Sequence, residues 1–248
     1  DAWHWEDAVL YEDDGLHLNW PSSVRRGRWW MGEDPGIQPN KAYQEEIAEI
    51  ETFFANARAY VAGPRNQAHL PFAAMEKIFN QQAKLFIHAD GEREIIDLLN
   101  FVDTQELENV VLVGGASAYK VAPQLVQRNI PVLVGRVHNR PAQADDDYDQ
   151  PYKLAHLLQQ AGVLVGLESS GSMERMNTRN LPFYAGTVVA HGADKEEALK
   201  MITSNTAKIL GIDDRLGTLE AGKEATLFIS QGDALDMRTN KVARAFIQ

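Results

Sequence analysis

The sequence predicts a parallel α/β fold followed by a small separate sheet at its C-terminal end. Three observations carry this expectation. From Lys84 onward, short and continuously apolar runs alternate with longer runs of helical period. Each apolar run closes on Gly or polar residues before the next helical run begins. Two further strand signals stand apart after the last helices.

Taken in order, Gly15-Leu-His-Leu-Asn-Trp20 reads as a strand. A long helix follows near Ala42 to Ala62, whose Glu45, Glu46, Glu49 and Glu51 make a solvated acidic face. Lys84–His88, Asn109–Val113, Ile130–Val134 and Val163–Leu167 read as buried parallel strands, because strands covered on both faces lose polar alternation. The connecting helices are Glu92–Thr104, Ser117–Arg128 and Tyr152–Ala161. After Leu167, helices are expected over roughly 181–191 and 195–210, then a turn-rich stretch, Leu216–Ile229, that feeds a strand. A last strand signal covers Val242–Ile247, and the expected division is a βα portion over 1–212 and small-sheet strands over 213–248. Five strands are too few to close an eight-stranded barrel, which typically takes about 250 residues. Earlier strands are therefore expected outside this sequence, although an open doubly wound sheet satisfies the same pattern.

Composition narrows the partners. With 44% hydrophobic and 24% charged residues in a 248-residue chain, a substantial core is affordable and disorder is excluded. A net charge of -11 repels phosphodiester backbones and anionic headgroups, so neither nucleic acid nor membrane is expected as a partner. No apolar run reaches about 18 residues and no basic-then-apolar leader is present. The sequence opens at Asp1 without an initiating Met, so compartment stays open. Absence of Cys excludes disulfides, Cys-ligated zinc and thiol nucleophiles.

The tail decides between barrel and open sheet. Glu196-Glu-Ala-Leu-Lys-Met-Ile-Thr-Ser-Asn205, Thr206-Ala-Lys-Ile-Leu-Gly-Ile-Asp-Asp-Arg-Leu-Gly217 and Leu219-Glu-Ala-Gly-Lys-Glu-Ala-Thr-Leu-Phe228 resemble the closing segment of the amidohydrolase superfamily, in its imidazolonepropionase and prolidase-like branch. The resemblance extends upstream through Asn177-Thr-Arg-Asn-Leu-Pro-Phe-Tyr-Ala-Gly186 and, more loosely, to Trp3-His-Trp-Glu-Asp7. It implies part of a TIM-type (β/α)8 barrel lacking its N-terminal strands, with the C-terminal strands belonging to a small β-sandwich. It also implies hydrolysis of an amide or cyclic amide C–N bond, a small-molecule or peptide-like substrate, and zinc or another divalent metal. Relatives often carry secretion signals, which points to an extracytoplasmic location. A homo-oligomer or a paralogous subunit is a further expectation.

The family chemistry needs neutral imidazoles and a carboxylate converging at strand ends, where the metal lowers the pKa of a bound water. The resemblance places one metal ligand at His88, in Leu-Phe-Ile-His-Ala-Asp90. A strand-end His satisfied by a loop carbonyl is the plainer alternative. The next ligand position, expected to be His, is Gly114, and the proton-relaying Asp position is Ser170, with Glu168 nearby as a substitute carboxylate. On this arithmetic, the chain as given is expected to hold no zinc at the barrel centre, since a catalytic site needs about three ligands. Gly114-Gly-Ala-Ser117 reads either as an anion-binding turn or as a tight strand-to-helix turn. Leu167-Glu-Ser-Ser-Gly171 fails the G-x-S-x-G elbow at its first position. Lys120, Arg136 and His138 lie near strand ends and are candidates for binding a substrate carboxylate, unless Arg136 and Arg140 pair with the acidic loop Asp145–Asp149. Trp20, Trp29, Trp30 and Tyr43 form either a substrate wall or packing beneath a long loop. His4, His17, His69, His156 and His191 show no metal-ligand spacing and receive no role.

Overall fold

The structure is a computed structural model that describes residues 4, 6, 9–65, 67–169 and 174–247. It divides into two compact units, Tyr11–Val111 on the one hand and Asp1–Leu10 with Leu112–Gln248 on the other.

The Tyr11–Val111 unit opens with β1 (Gly15–Asn19), a hairpin of β2 (Val24–Arg26) and β3 (Ile37–Pro39), and the 20-residue helix α1 (Tyr43–Ala62). Two short helices, α2 (Leu70–Ala74) and α3 (Glu76–Phe79), precede β4 (Lys84–Ala89) and α4 (Glu92–Thr104). β1 and β4 pair in parallel, with His17 opposite Phe86 and Asn19 opposite His88. Alternation along β4 sends Leu85 and Ile87 to one face, where both are buried, and Phe86 and His88 to the other. α4 begins with Glu92 and Glu94 at the positive end of its dipole and buries Ile95, Leu98, Leu99 and Val102, the i, i+3, i+4, i+7 stripe of an amphipathic helix. Phe54 of α1 meets Phe101 edge-on at 5.0 Å, and Trp20 packs on the same Phe101 at 5.3 Å.

β5 (Val110–Gly114) leads into the second unit, where its residues Leu112, Val113 and Gly114 pair in parallel with β6 (Val132–Val134). A four-residue 3-10 turn and the helix α5 (Ala122–Gln127) lie between them. α6 (Gln150–Gln160) connects β6 to β7 (Val165–Leu167), again parallel. Three helices follow, α7 (Leu181–Ala190), α8 (Lys195–Met201) and α9 (Ser204–Leu210). Asp194 caps α8 by accepting from the backbone N–H groups of Glu196 and Glu197, and Gly211 closes α9 at φ 72°. Last come β8 (Leu227–Gln231) and β9 (Lys241–Phe246), paired antiparallel in a two-stranded sheet of their own.

Parallel pairing and the separate C-terminal sheet are as the sequence predicts. The differences are local. Ser117–Arg128 is a 3-10 turn plus a short α-helix. The two or three helices expected over 181–191 and 195–210 are three, α8 and α9 parting at Ile202 and Thr203, where the Thr203 hydroxyl donates to the Leu199 carbonyl and its backbone leaves helical angles at ψ -99°. The β2–β3 hairpin and the two short helices have no counterpart in the reading above, because three- to five-residue elements carry too little periodicity to register.

Candidate functional site

In the Tyr11–Val111 unit, His88 is the penultimate residue of β4. Parallel register and alternation bring His17, Asn19, Phe86 and His88 to one face. The His17 ring stacks on Phe86 at 4.8 Å with 13° between planes. Its Nδ1 lies 2.8 Å from His88 Nε2, so one of the two imidazoles donates its N–H to the lone pair of the other. His17 received no role from sequence, since it stands 71 residues from His88. Only the register of two strands makes them neighbours.

In the second unit, the expected ligand position at the end of β5 is Gly114, at φ +92°, followed by Gly115 at +69°. Both sit in the left-handed region where glycine is at ease. The Ala118 N–H donates to Gly115 O at 2.8 Å and the Lys120 N–H to Ser117 O at 3.1 Å, so Gly114–Ser117 forms a tight turn. Gly135 follows β6 and Glu168 follows β7, and the Glu168 N–H donates to Val134 O at 3.0 Å. A Cβ built on Gly135 would stand 2.8 Å from Glu168 Oε1 and 4.0 Å from Gly114 Cα. The Glu168 carboxylate thus occupies a hollow that two glycines leave open. Ser170 lies outside the described residues.

His138 Nε2 is 2.8 Å from Thr187 Oγ1. The single hydroxyl proton of Thr187 goes to Phe183 O, so His138 must donate from Nε2 and keeps its lone pair on Nδ1. Its ring meets Tyr184 edge-on at 5.0 Å. Desolvation by this packing, and then the charge of Arg136, lower its pKa below the usual imidazole value. Lys120 Nζ lies 3.7 Å from Asp146 Oδ1, whose side chain is 3% exposed. Burial alone would raise the Asp146 pKa, but the Gln143 N–H, the Tyr119 hydroxyl and Lys120 outweigh it and hold the carboxyl below its ordinary range. Asp147 and Asp149 engage Lys153 at 2.5 and 3.1 Å, and Asp149 also faces His191 Nδ1 at 3.5 Å. The acidic loop is therefore tied to Tyr119, Lys120, Lys153 and His191. The four aromatics grouped above separate: Trp20 and Tyr43 are buried, whereas Trp29 and Trp30 are 72% and 68% exposed and pack beneath no loop.

Residues 149–246, under half of the chain, match the model of the amidohydrolase family. Among solved structures the chain is similar to an amidohydrolase from Thermotoga maritima MSB8, with TM-score 0.79 and 22% identity over 99% of this chain and 64% of that one. It is also similar to a second amidohydrolase, with TM-score 0.51 and 16% identity over 71% of this chain and 47% of that one. These likenesses bear on the fold, an α/β chain corresponding to part of a TIM-type barrel plus C-terminal antiparallel strands. The chain spans less than two thirds of the length of both. No curated protein matches it.

Amidohydrolases typically use a divalent metal. Among the described residues, no three His, Asp or Glu side chains converge as a metal would need. Within its unit, His88 has His17 at hydrogen-bond distance. These described residues do not fit a three-ligand catalytic zinc site.

Proposed function

We propose that the chain is the C-terminal portion of a protein descended from metal-dependent hydrolases of amide or cyclic amide C–N bonds, of the imidazolonepropionase and prolidase-like branch, and that its own metal site is degenerate. The observation that carries this reading is Gly114: at the end of β5, where the family resemblance expects an imidazole, the chain has no side chain at all. Glycine is a lost ligand rather than a weaker one. In the same reading, residues 1–212 are the barrel portion and 213–248 the sandwich strands. The alternative is a non-catalytic binding protein, or an inactive subunit beside an active paralogue. Small molecules or peptide-like compounds are the ligands expected in either case, with Lys120, Arg136 and His138 as groups able to meet a carboxylate.

Metal analysis of the full-length protein and calorimetric titration of this chain with zinc test the reading. The expected outcome is no stoichiometric submicromolar site, with metal content unchanged in His88→Ala, because one or two imidazoles lack the several preoriented ligands from which affinity comes. A stoichiometric zinc lost in His88→Ala would overturn it.

A further inference from the structure

His138 is held in one tautomer by its neighbours, and the tautomer decides what it can bind. The Thr187 hydroxyl has a single proton and donates it to Phe183 O at 3.0 Å. Only lone pairs are left on that oxygen for His138 Nε2, which stands 2.8 Å away and therefore carries the ring hydrogen. Nδ1 is the bare nitrogen, and among the described residues nothing donates to it.

The ring has little freedom to change this. It meets Tyr184 of α7 edge-on at 5.0 Å and Tyr152 of α6 at 6.0 Å, and the adjoining Val137 is buried, which pins the backbone beneath it. A half-turn of the ring would put a carbon where Nε2 meets Thr187 and lose that hydrogen bond. Every one of these partners lies between Val137 and Thr187, so the second unit sets the arrangement by itself.

Position gives the bare nitrogen something to meet. His138 is exposed four residues beyond the end of β6, on the side where Gly114, Gly135 and Glu168 gather. In parallel barrels that end of the strands carries the ligand. Desolvation and the charge of Arg136 keep the imidazole neutral near pH 7. A neutral imidazole whose N–H is already engaged has no hydrogen to give a carboxylate. It can only accept, so its partner must offer a hydrogen. An ammonium group would be repelled by Arg136, two residues away, whereas a neutral amide N–H is not. Arg136 in turn favours a carboxylate on the same molecule.

We propose that His138 Nδ1 accepts a hydrogen bond from the amide N–H of a ligand that also bears a carboxylate, such as an N-acylated amino acid. The inference rests on reading these strand ends as a ligand site, and it narrows that reading: the carboxylate falls to Arg136 and the amide to His138.

The test uses the full-length protein with a chelator present, so that its outcome is separate from the zinc titration above. Long-range proton–nitrogen spectra are expected to show His138 Nδ1 as the unprotonated nitrogen and Nε2 as the protonated one. The reverse assignment overturns the proposal whatever the protein binds. Calorimetry then compares N-benzoylglycine with benzoyloxyacetic acid, its ester counterpart, in which an oxygen replaces the N–H. The wild type is expected to bind the amide about tenfold more tightly, the effect of one hydrogen bond against an unpaired acceptor. His138→Phe keeps a ring beside Tyr184 but has no acceptor, and it is expected to bind both compounds alike, with circular dichroism confirming its fold. Equal wild-type affinities, or a preference that survives in His138→Phe, overturn the role of His138 while leaving the strand-end site standing. Failure of both compounds to bind at millimolar concentration overturns the ligand class as well.

Discussion

Nδ1 of His17 and Nε2 of His88 lie 2.8 Å apart, on adjacent parallel strands, with the His17 ring stacked on Phe86. Two imidazoles so placed share one proton between facing nitrogens. The ring of His88 is then fixed by a neighbour from β1, the arrangement that elsewhere orients a ligand or a proton-transfer group.

His17→Ala is expected to change the tautomer balance of His88, read as a shift of its ring nitrogens in long-range proton–nitrogen spectra. The loss of global stability is expected to be about 1 kcal/mol or less, because the pair is solvent-exposed and its net hydrogen bond is modest. Unchanged His88 ring resonances would show that the two rings do not share a proton in solution.

Two glycines of the second unit should differ sharply when replaced by alanine. A Cβ on Gly135 meets the far end of Glu168 at 2.8 Å, which a flexible side chain relieves by rotating, and Gly114 Cα at 4.0 Å, an ordinary contact. A Cβ on Gly186, inside α7, stands 2.1 Å from the backbone oxygen of the buried Leu235, which has nowhere to move. Denaturant unfolding should therefore show a cost under about 1 kcal/mol for Gly135→Ala and roughly 2 kcal/mol or more for Gly186→Ala. Equal costs would mean that the Leu235 segment is not seated against α7 in this way.

His138 supplies a pH dependence whose sign is set by its lowered pKa. The unfolded chain takes up the proton more readily than the folded one, so the contribution to stability is complete above the unfolded value of about 6.5 and is lost as pH falls through the folded pKa. His138→Gln can still donate to Thr187 but does not titrate, and its unfolding free energy should fall less than that of the wild type over the same acid interval. Urea titrations at a series of pH values compare the two, and parallel curves would exclude His138 as the source.

Periodicity and composition determined much of this protein. α4 was legible to the residue, from Glu92 to Thr104, because its apolar stripe and its flanking Gly91 are local signals. The strands around His88, Gly114 and Leu167 were legible because buried parallel strands are apolar throughout, and the closing segment from Glu196 to Phe228 carried the resemblance to the amidohydrolase superfamily. Tertiary structure alone decided the rest. It set His17 against His88 across 71 residues, settled the Glu168 carboxylate over Gly135, and split the tryptophans into a buried Trp20 and an exposed Trp29 and Trp30. The reason is common to all three: each depends on strand register or on the path of a short hairpin, and neither leaves a periodic trace along the chain.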